Sequence, residues 1–132
     1  MSNAGGATIL LIEDDEVIRG LYRKIFEFKG YRVIEAVDGK DGVDKFAEHR
    51  DEISILVTDV MMPNMNGRET YDEIIRIKKD VKVIFTSGYH SELTNVLKEE
   101  GFHYLQKPFS PQDLLQKIIE VLAEDRNRGG GS

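Results

Sequence analysis

The sequence predicts an α/β domain of the doubly wound (βα)5 type, with a five-stranded parallel sheet and helices on both faces. Two observations predict it. Five short apolar runs recur along 132 residues, and each is followed by a longer stretch with apolar residues three or four apart. A regular strand–helix alternation of this kind closes into a parallel sheet whose two faces are both covered.

The elements follow in order. "TILLI" (Thr8–Ile12) is the first strand, and Val17, Leu21, Ile25 and Phe28 make the expected apolar face of the first helix. "YRVIEA" (Tyr31–Ala36) is the second strand, followed by a face of Val43, Phe46 and Ala47. "SILVT" (Ser54–Thr58) is the third, followed by Tyr71, Ile74, Ile75 and Lys78. "KVIFT" (Lys82–Thr86) is the fourth, followed by Leu93, Val96 and Leu97. "FHYLQ" (Phe102–Gln106) is the fifth, followed by Leu114, Ile118, Val121 and Leu122. Gly30 and Gly101 stand where helices should stop. The ends, residues 1–7 and 125–132, are small-residue or polar stretches without periodicity, and read as flexible appended segments around a domain at 8–124.

Composition narrows the function. A net charge of −6 argues against a protein that grips nucleic acid by its backbone. Cysteine is absent, which removes disulfides and thiolate metal sites and suits the cytoplasm. No apolar run is long enough to span a bilayer, and no secretory signal is visible. His49, His90 and His103 lack metal-like spacing. Met61, Met62 and Met65 read as gap-fillers.

In sheets of this type the chemistry sits at the strands' carboxyl ends. The first strand ends in Glu13, Asp14 and Asp15, the third in Asp59, the fourth in Thr86, Ser87 and Gly88, and the fifth in Gln106, Lys107 and Pro108. The second ends at Glu35 and Ala36, which are expected to lie off-site at an edge. Nucleotide-binding sheets place glycines at the first tip, to cradle phosphate on backbone N–H groups. Here carboxylates stand there. Clustered carboxylates must take up protons or hold a cation, and oxygen ligands without His or Cys favour Mg²⁺ or Mn²⁺. The plain alternative is that Asp14 or Asp15 caps the next helix. Lys107, before a proline whose bond is a candidate for cis, supplies a compact cation, and Ser87 a hydroxyl donor. A carboxylate nucleophile, a divalent cation, a lysine and a hydroxyl are the parts needed to move a phosphoryl group onto Asp59.

"LLIEDDE", "DVMMPNMNG", "FTSGY" and "LQKPF", in this order and spacing, resemble the receiver domain of two-component response regulators from about Thr8 to Leu122. The resemblance implies a flavodoxin-like strand order 2-1-3-4-5 and a phosphorelay role, with Asp59 accepting a phosphoryl group from a histidine kinase or histidine phosphotransfer domain. It implies that Glu13, Asp14 and Asp59 hold Mg²⁺ (Mn²⁺ as a substitute), with Met61 contributing its main-chain carbonyl. Lys107 then matches the family's lysine, and Ser87 its hydroxyl residue, with Thr86 as the rival. Ser87 and Tyr104 form the switch that alters the α4–β5–α5 surface, where His90, Leu93, Val96 and Gln106 are candidates. Bulky Met61 and Tyr89 imply slow self-dephosphorylation. "TSGY" and the "QKPF" text resemble receivers inside hybrid sensor kinases, and a free-standing receiver is the alternative. Such a domain catalyses only its own phosphorylation and dephosphorylation. The competing reading, a Mg²⁺-dependent phosphatase-like hydrolase with an aspartyl nucleophile, wants a second acid two residues past Asp59, where Met61 stands. A flavin- or nucleotide-binding module would want a glycine-rich phosphate loop.

Overall fold

The computed structural model describes residues 6–88 and 91–131, with side chains in the last helix as far as Glu124. The elements alternate as β1 (Thr8–Ile12), α1 (Glu16–Phe28), β2 (Arg32–Ala36), α2 (Gly39–Glu48), β3 (Ile53–Asp59), α3 (Gly67–Ile77), β4 (Lys82–Ser87), α4 (Glu92–Glu99), β5 (His103–Gln106) and α5 (Pro111–Gly131). The strands form one sheet in the order β2-β1-β3-β4-β5, and every neighbouring pair is parallel. The order reverses direction beside β1 and β3, so their carboxyl ends open onto a shared crevice.

Strand residues alternate between two cores because successive side chains point to opposite faces. Leu10, Ile12, Leu56, Val83 and Phe85 pack with Phe46 of α2, Ile74 of α3 and Leu97 of α4. Ile9, Leu11, Ile55, Val57 and Ile84 pack with Tyr22 and Phe26 of α1 and with Leu114, Ile118 and Val121 of α5. Tyr71, Phe85 and Phe102 stack edge-on, with centroids 5.2 to 6.0 Å apart, and tie α3 to β4 and the start of β5.

The first helix departs from the expected face. Val17, Leu21 and Phe28 are 81%, 55% and 85% exposed, while Tyr22 and Phe26 are buried and Ile18 and Ile25 pack beside them. Both stripes have helical spacing. Asp15 starts the helix by accepting a hydrogen bond from Ile18 N, and from that start it is the Ile18–Tyr22–Phe26 stripe that meets the sheet. That stripe brings two aromatic rings to the core, the larger apolar area.

Helix ends follow their caps. Asn66 and Glu69 form a reciprocal capping box at α3, as do Ser91 and Thr94 at α4. Gly30 and Gly101 take φ of 94° and 88°, and the amides of Tyr31 and Phe102 bond back to Phe26 O and Leu97 O at 3.1 and 3.0 Å. These are paired 6→1 closures at a glycine, as expected of helix stops.

Candidate phosphoryl-transfer site

Register carries the site residues to one place. Glu13, Asp59 and Lys107 each lie two positions beyond Leu11, Val57 and Leu105, all of which face the α1/α5 core. The same alternation sends all three side chains to one side of the sheet, at the carboxyl ends of β1, β3 and β5. Lys107 Nζ lies 3.4 Å from Glu13 Oε1 and 3.5 Å from Asp59 Oδ2. Carboxylate oxygens of Glu13, Asp14 and Asp59 all fall within 4.8 Å of one another, the one such acidic group among the described residues. Glu13 is 2% and Asp59 9% exposed, whereas Asp14 is exposed and closes the cluster on its open side.

The backbone around the site is tightly tied. Val60 N donates to Thr86 O and Lys107 N to Ser87 O, both at 2.8 Å, so the exits of β3 and β5 hang on the tip of β4. Gly67 N donates to Val60 O at 2.8 Å, drawing the start of α3 against the end of β3. A Cβ at Gly67 would collide with the main-chain carbonyl of Asp59 and the Cα of Val60, so the approach requires glycine. Between them the loop turns through Asn64, at φ 71°, with Met65 N bonded to Pro63 O at 2.7 Å. Asn is one of the few side-chain-bearing residues that accept that conformation. The Lys107–Pro108 peptide bond is cis, as the sequence suggested.

Asp15 is drawn away from the cluster. Its carboxylate caps α1, and its amide donates to Glu13 Oε2 at 3.1 Å. That leaves Glu13 and Asp14 as the two carboxylates from the β1 tip that cluster with Asp59. Met61 N donates a long bond, 3.4 Å, to Asp59 Oδ1, while the Met61 side chain faces solvent and Met62 packs into the core.

Electrostatics follow from burial. Desolvation pushes Asp59 above the ordinary aspartate range, against the pull of Lys107 and the Met61 N–H. It likewise pushes Glu13 up, against the Asp15 N–H and Lys107, with the Asp59 charge adding to the rise. Burial works against the Lys107 ammonium, but Asp59 and Glu13 outweigh it and hold its pKa above the usual lysine value. Three carboxylates against one ammonium leave two negative charges uncompensated when all ionise. Oxygen-only donors around an open edge fit a hard divalent cation such as Mg²⁺ or Mn²⁺.

Ser87 and Thr86 are both fully buried. Thr86 is the register partner of Asp59, and Ser87 lies one residue further out. Ser87 follows Phe85 by two, and Tyr104 follows Phe102 by two, so both belong to the α2–α4 face on adjacent strands. Tyr104 is half-buried, with Lys98 Nζ 4.8 Å from its ring centroid. Its hydroxyl is shut off from solvent without a hydrogen-bond partner among the described residues. Leu93, Val96 and Gln106 border this region. Tyr89 and His90 lie outside the described residues.

Two neighbours of the site escaped the sequence reading. Tyr22 is buried, stacks on Phe109 with centroids 5.7 Å apart, and feels the charges of Lys107, Glu13 and Asp59. Arg19 donates from Nη1 to Glu13 O at 2.9 Å and from Nε to Glu35 Oε1 at 3.1 Å. Glu35, expected off-site, is therefore joined to the acid pair through one side chain. Helical spacing from the cap at Asp15 would have placed Arg19 and Tyr22 near the tip of β1.

Comparison with known proteins agrees with this geometry. Residues 9–119 match the response regulator receiver domain family. The chain is 35% identical over 121 residues to the sensor kinase CckA of Brucella abortus, covering 90% of this chain and 13% of that protein. It is 30% identical over 116 residues to the response regulator SaeR of Staphylococcus aureus, covering 86% of this chain and 50% of that one. The chain thus spans half or less of these relatives. A CheY-like receiver domain protein from Methanospirillum hungatei superimposes with a TM-score of 0.84 at 30% identity, covering 94% of this chain and 99% of that one. The chain belongs to the response regulator receiver domain family and is a phosphorelay signalling domain.

Proposed function

We propose that Asp59 is the phosphoacceptor, and that it takes its phosphoryl group from a phosphohistidine of a kinase or histidine phosphotransfer domain. The observation that carries this reading is the convergence of Lys107 Nζ on Asp59 and Glu13 from strands far apart in sequence. An Asp59 carboxylate oxygen forms the new bond to phosphorus as the bond to the donor's imidazole nitrogen breaks. The nitrogen keeps the electron pair, and because the other ring nitrogen of the donor phosphohistidine carries a proton, the imidazole leaves neutral. The Lys107 ammonium follows the negative charge from the free carboxylate to the phosphoryl oxygens. A divalent cation held by Glu13, Asp14 and Asp59, with the Met61 carbonyl, would neutralise charge on those oxygens. Ser87 supplies a hydroxyl donor to one of them, and its movement leaves room on the face it shares with Tyr104.

Among the described residues the buried Tyr104 hydroxyl has no hydrogen-bond partner, which supports a switching role, since a buried phenol in that state gains by moving to one. The outcome is a changed α4–β5–α5 surface. Similarity to a sensor kinase supports a receiver within a hybrid kinase; similarity to SaeR supports one within a response regulator. Among the described residues no helix is long and apolar enough to cross a membrane, and we place the domain in the cytoplasm with its donor. Bulky Met61 and Tyr89 favour a long-lived phosphoryl group. A phosphatase-like hydrolase is disfavoured, because the leaving-group acid it needs is replaced by Met61.

The test is incubation with acetyl phosphate and Mg²⁺, followed by intact mass. One phosphoryl adduct is expected, lost on treatment with hydroxylamine as an acyl phosphate is, and absent when the cation is chelated. An adduct that forms in chelator, or that resists hydroxylamine, contradicts the reading.

A further inference from the structure

We propose that Arg19 is a positioning residue for the acid pair, and that Glu35 at the end of β2 holds it in place. This rests on the reading of Glu13 and Asp14 as cation ligands. Arg19 is largely buried, with a side chain 14% exposed. Its guanidinium spans two elements, giving one N–H to the Glu35 carboxylate and another to the main-chain oxygen of Glu13. That oxygen belongs to the peptide unit joining Glu13 to Asp14. Fixing it fixes the plane from which Asp14 leaves the strand, on the exposed side of the cluster.

Glu35 is itself held from several sides. Arg23 Nε faces its second oxygen at 2.9 Å, at an angle that makes an ion pair rather than a hydrogen bond. Lys45 Nζ donates to its main-chain oxygen at 3.2 Å and to Asp41. One residue on, Ala36 O accepts from Glu13 N at 3.2 Å. The β2 tip therefore grips both the amide and, through Arg19, the carbonyl of Glu13. Among the described residues Asp14 has no comparable clamp of its own, so the orientation of its ligand oxygen depends on this one.

The sign of the effect separates positioning from simple charge. Arg19 is a cation near a cation site. By Coulomb's law alone its removal would tighten Mg²⁺ binding, by about fourfold for a divalent ion at roughly 10 Å in a high dielectric. A role confined to fold stability would leave the affinity of the folded chain unchanged. Positioning predicts weaker binding, by about tenfold, the low end for outer groups that orient metal ligands.

The experiment titrates Mg²⁺ into native chain, Arg19→Lys, Arg19→Met and Glu35→Gln by calorimetry, with amide hydrogen exchange at Asp14 and Asp15 followed in parallel. Arg19→Lys keeps the charge and loses the fork that reaches two acceptors, so it gives the cleanest reading even if Arg19→Met fails to fold. Weaker Mg²⁺ binding together with faster exchange at Asp15, whose amide is bonded to Glu13, is the expected result. Unchanged or tighter binding in folded Arg19→Lys overturns the proposal. If the native chain shows no saturable Mg²⁺ binding, the cation reading fails instead. The proposal then stands on the exchange data, and unchanged exchange in Arg19→Lys overturns it.

Discussion

Lys107 Nζ stands 3.5 Å from Asp59 Oδ2 across 48 residues of sequence, and this pair decides how the empty and charged forms of the site balance. One ammonium serves two buried carboxylates, Asp59 and Glu13. The folded chain therefore carries a local excess of negative charge that a cation relieves.

Removing one of those charges should stabilise the metal-free protein. Asp59→Asn keeps the shape and relieves repulsion with Glu13 and Asp14. A gain of about 1 kcal/mol, or roughly 3–5 °C in the unfolding midpoint, is expected in chelator. Millimolar Mg²⁺ should then raise the midpoint of the native chain more than that of Asp59→Asn, because ligand binding stabilises only the form that binds. Thermal melts of both chains with and without Mg²⁺ check this. A lower midpoint for Asp59→Asn in chelator contradicts the electrostatic account.

The pH dependence follows from the same excess. Burial raises both Asp59 and Glu13 in the folded state, while in the unfolded chain they return to about 3.9 and 4.3. The folded form thus binds protons more readily. Its advantage is complete below those ordinary values and is lost as pH rises through the raised ones. Asp41, where burial is outweighed by the Val37 N–H and Lys45, and Glu52, bonded to His49 and near Arg32, shift downward. Their contribution is lost only as pH falls through their lowered values, in the acid range below about 4. The raised Lys107 contributes up to the alkaline range, above about 10. The metal-free midpoint should therefore fall as pH rises above the ordinary carboxylate range of about 4, and Mg²⁺ should flatten that slope. Calorimetric scans across this range in chelator provide the check.

Truncating the lysine separates chemistry from folding. Lys107→Met leaves two buried carboxylates without their cation, and should lower phosphorylation by acetyl phosphate by about a hundredfold or more, the scale of removing one charge-stabilising donor. It should also raise the apparent pKa of the acid cluster, read from carboxyl carbon shifts against pH. A rate within a few-fold of native would remove Lys107 from the mechanism.

Gly67 tests the backbone link between α3 and Asp59. A methyl group there meets the Asp59 carbonyl and Val60 Cα, neither of which is free to yield. Gly67→Ala should cost about 1–3 kcal/mol of stability, as overpacking does, and slow phosphoryl transfer in the fraction that remains folded. Chemical denaturation and initial phosphorylation rates report the two effects separately.

The sheet was readable because its strands are dense in Val, Ile and Leu and end at charged or small residues. Glu13, Asp14, Asp59 and Lys107 were legible because each directly follows such a run, and strand alternation does the rest. The buried face of α1 was not, since Val17–Leu21–Phe28 and Ile18–Tyr22–Phe26 share a period, and packing against the sheet chooses between them. Nor was the Arg19–Glu35 contact, which needs β1, α1 and β2 assembled before two distant side chains meet. Tyr22 was hidden for the same reason: an aromatic at helical spacing reads as core until its neighbours prove to be charged.

The most direct measurement is the location of the phosphoryl group. Native chain and Asp59→Asn are treated with acetyl phosphate and Mg²⁺, and the adduct is located by peptide mass spectrometry after borohydride reduction of the acyl phosphate. Reduction at Asp59 in the native chain, with no adduct on Asp59→Asn, is the predicted result. An adduct of equal yield on both chains, or one mapped to another residue of the native chain, contradicts it.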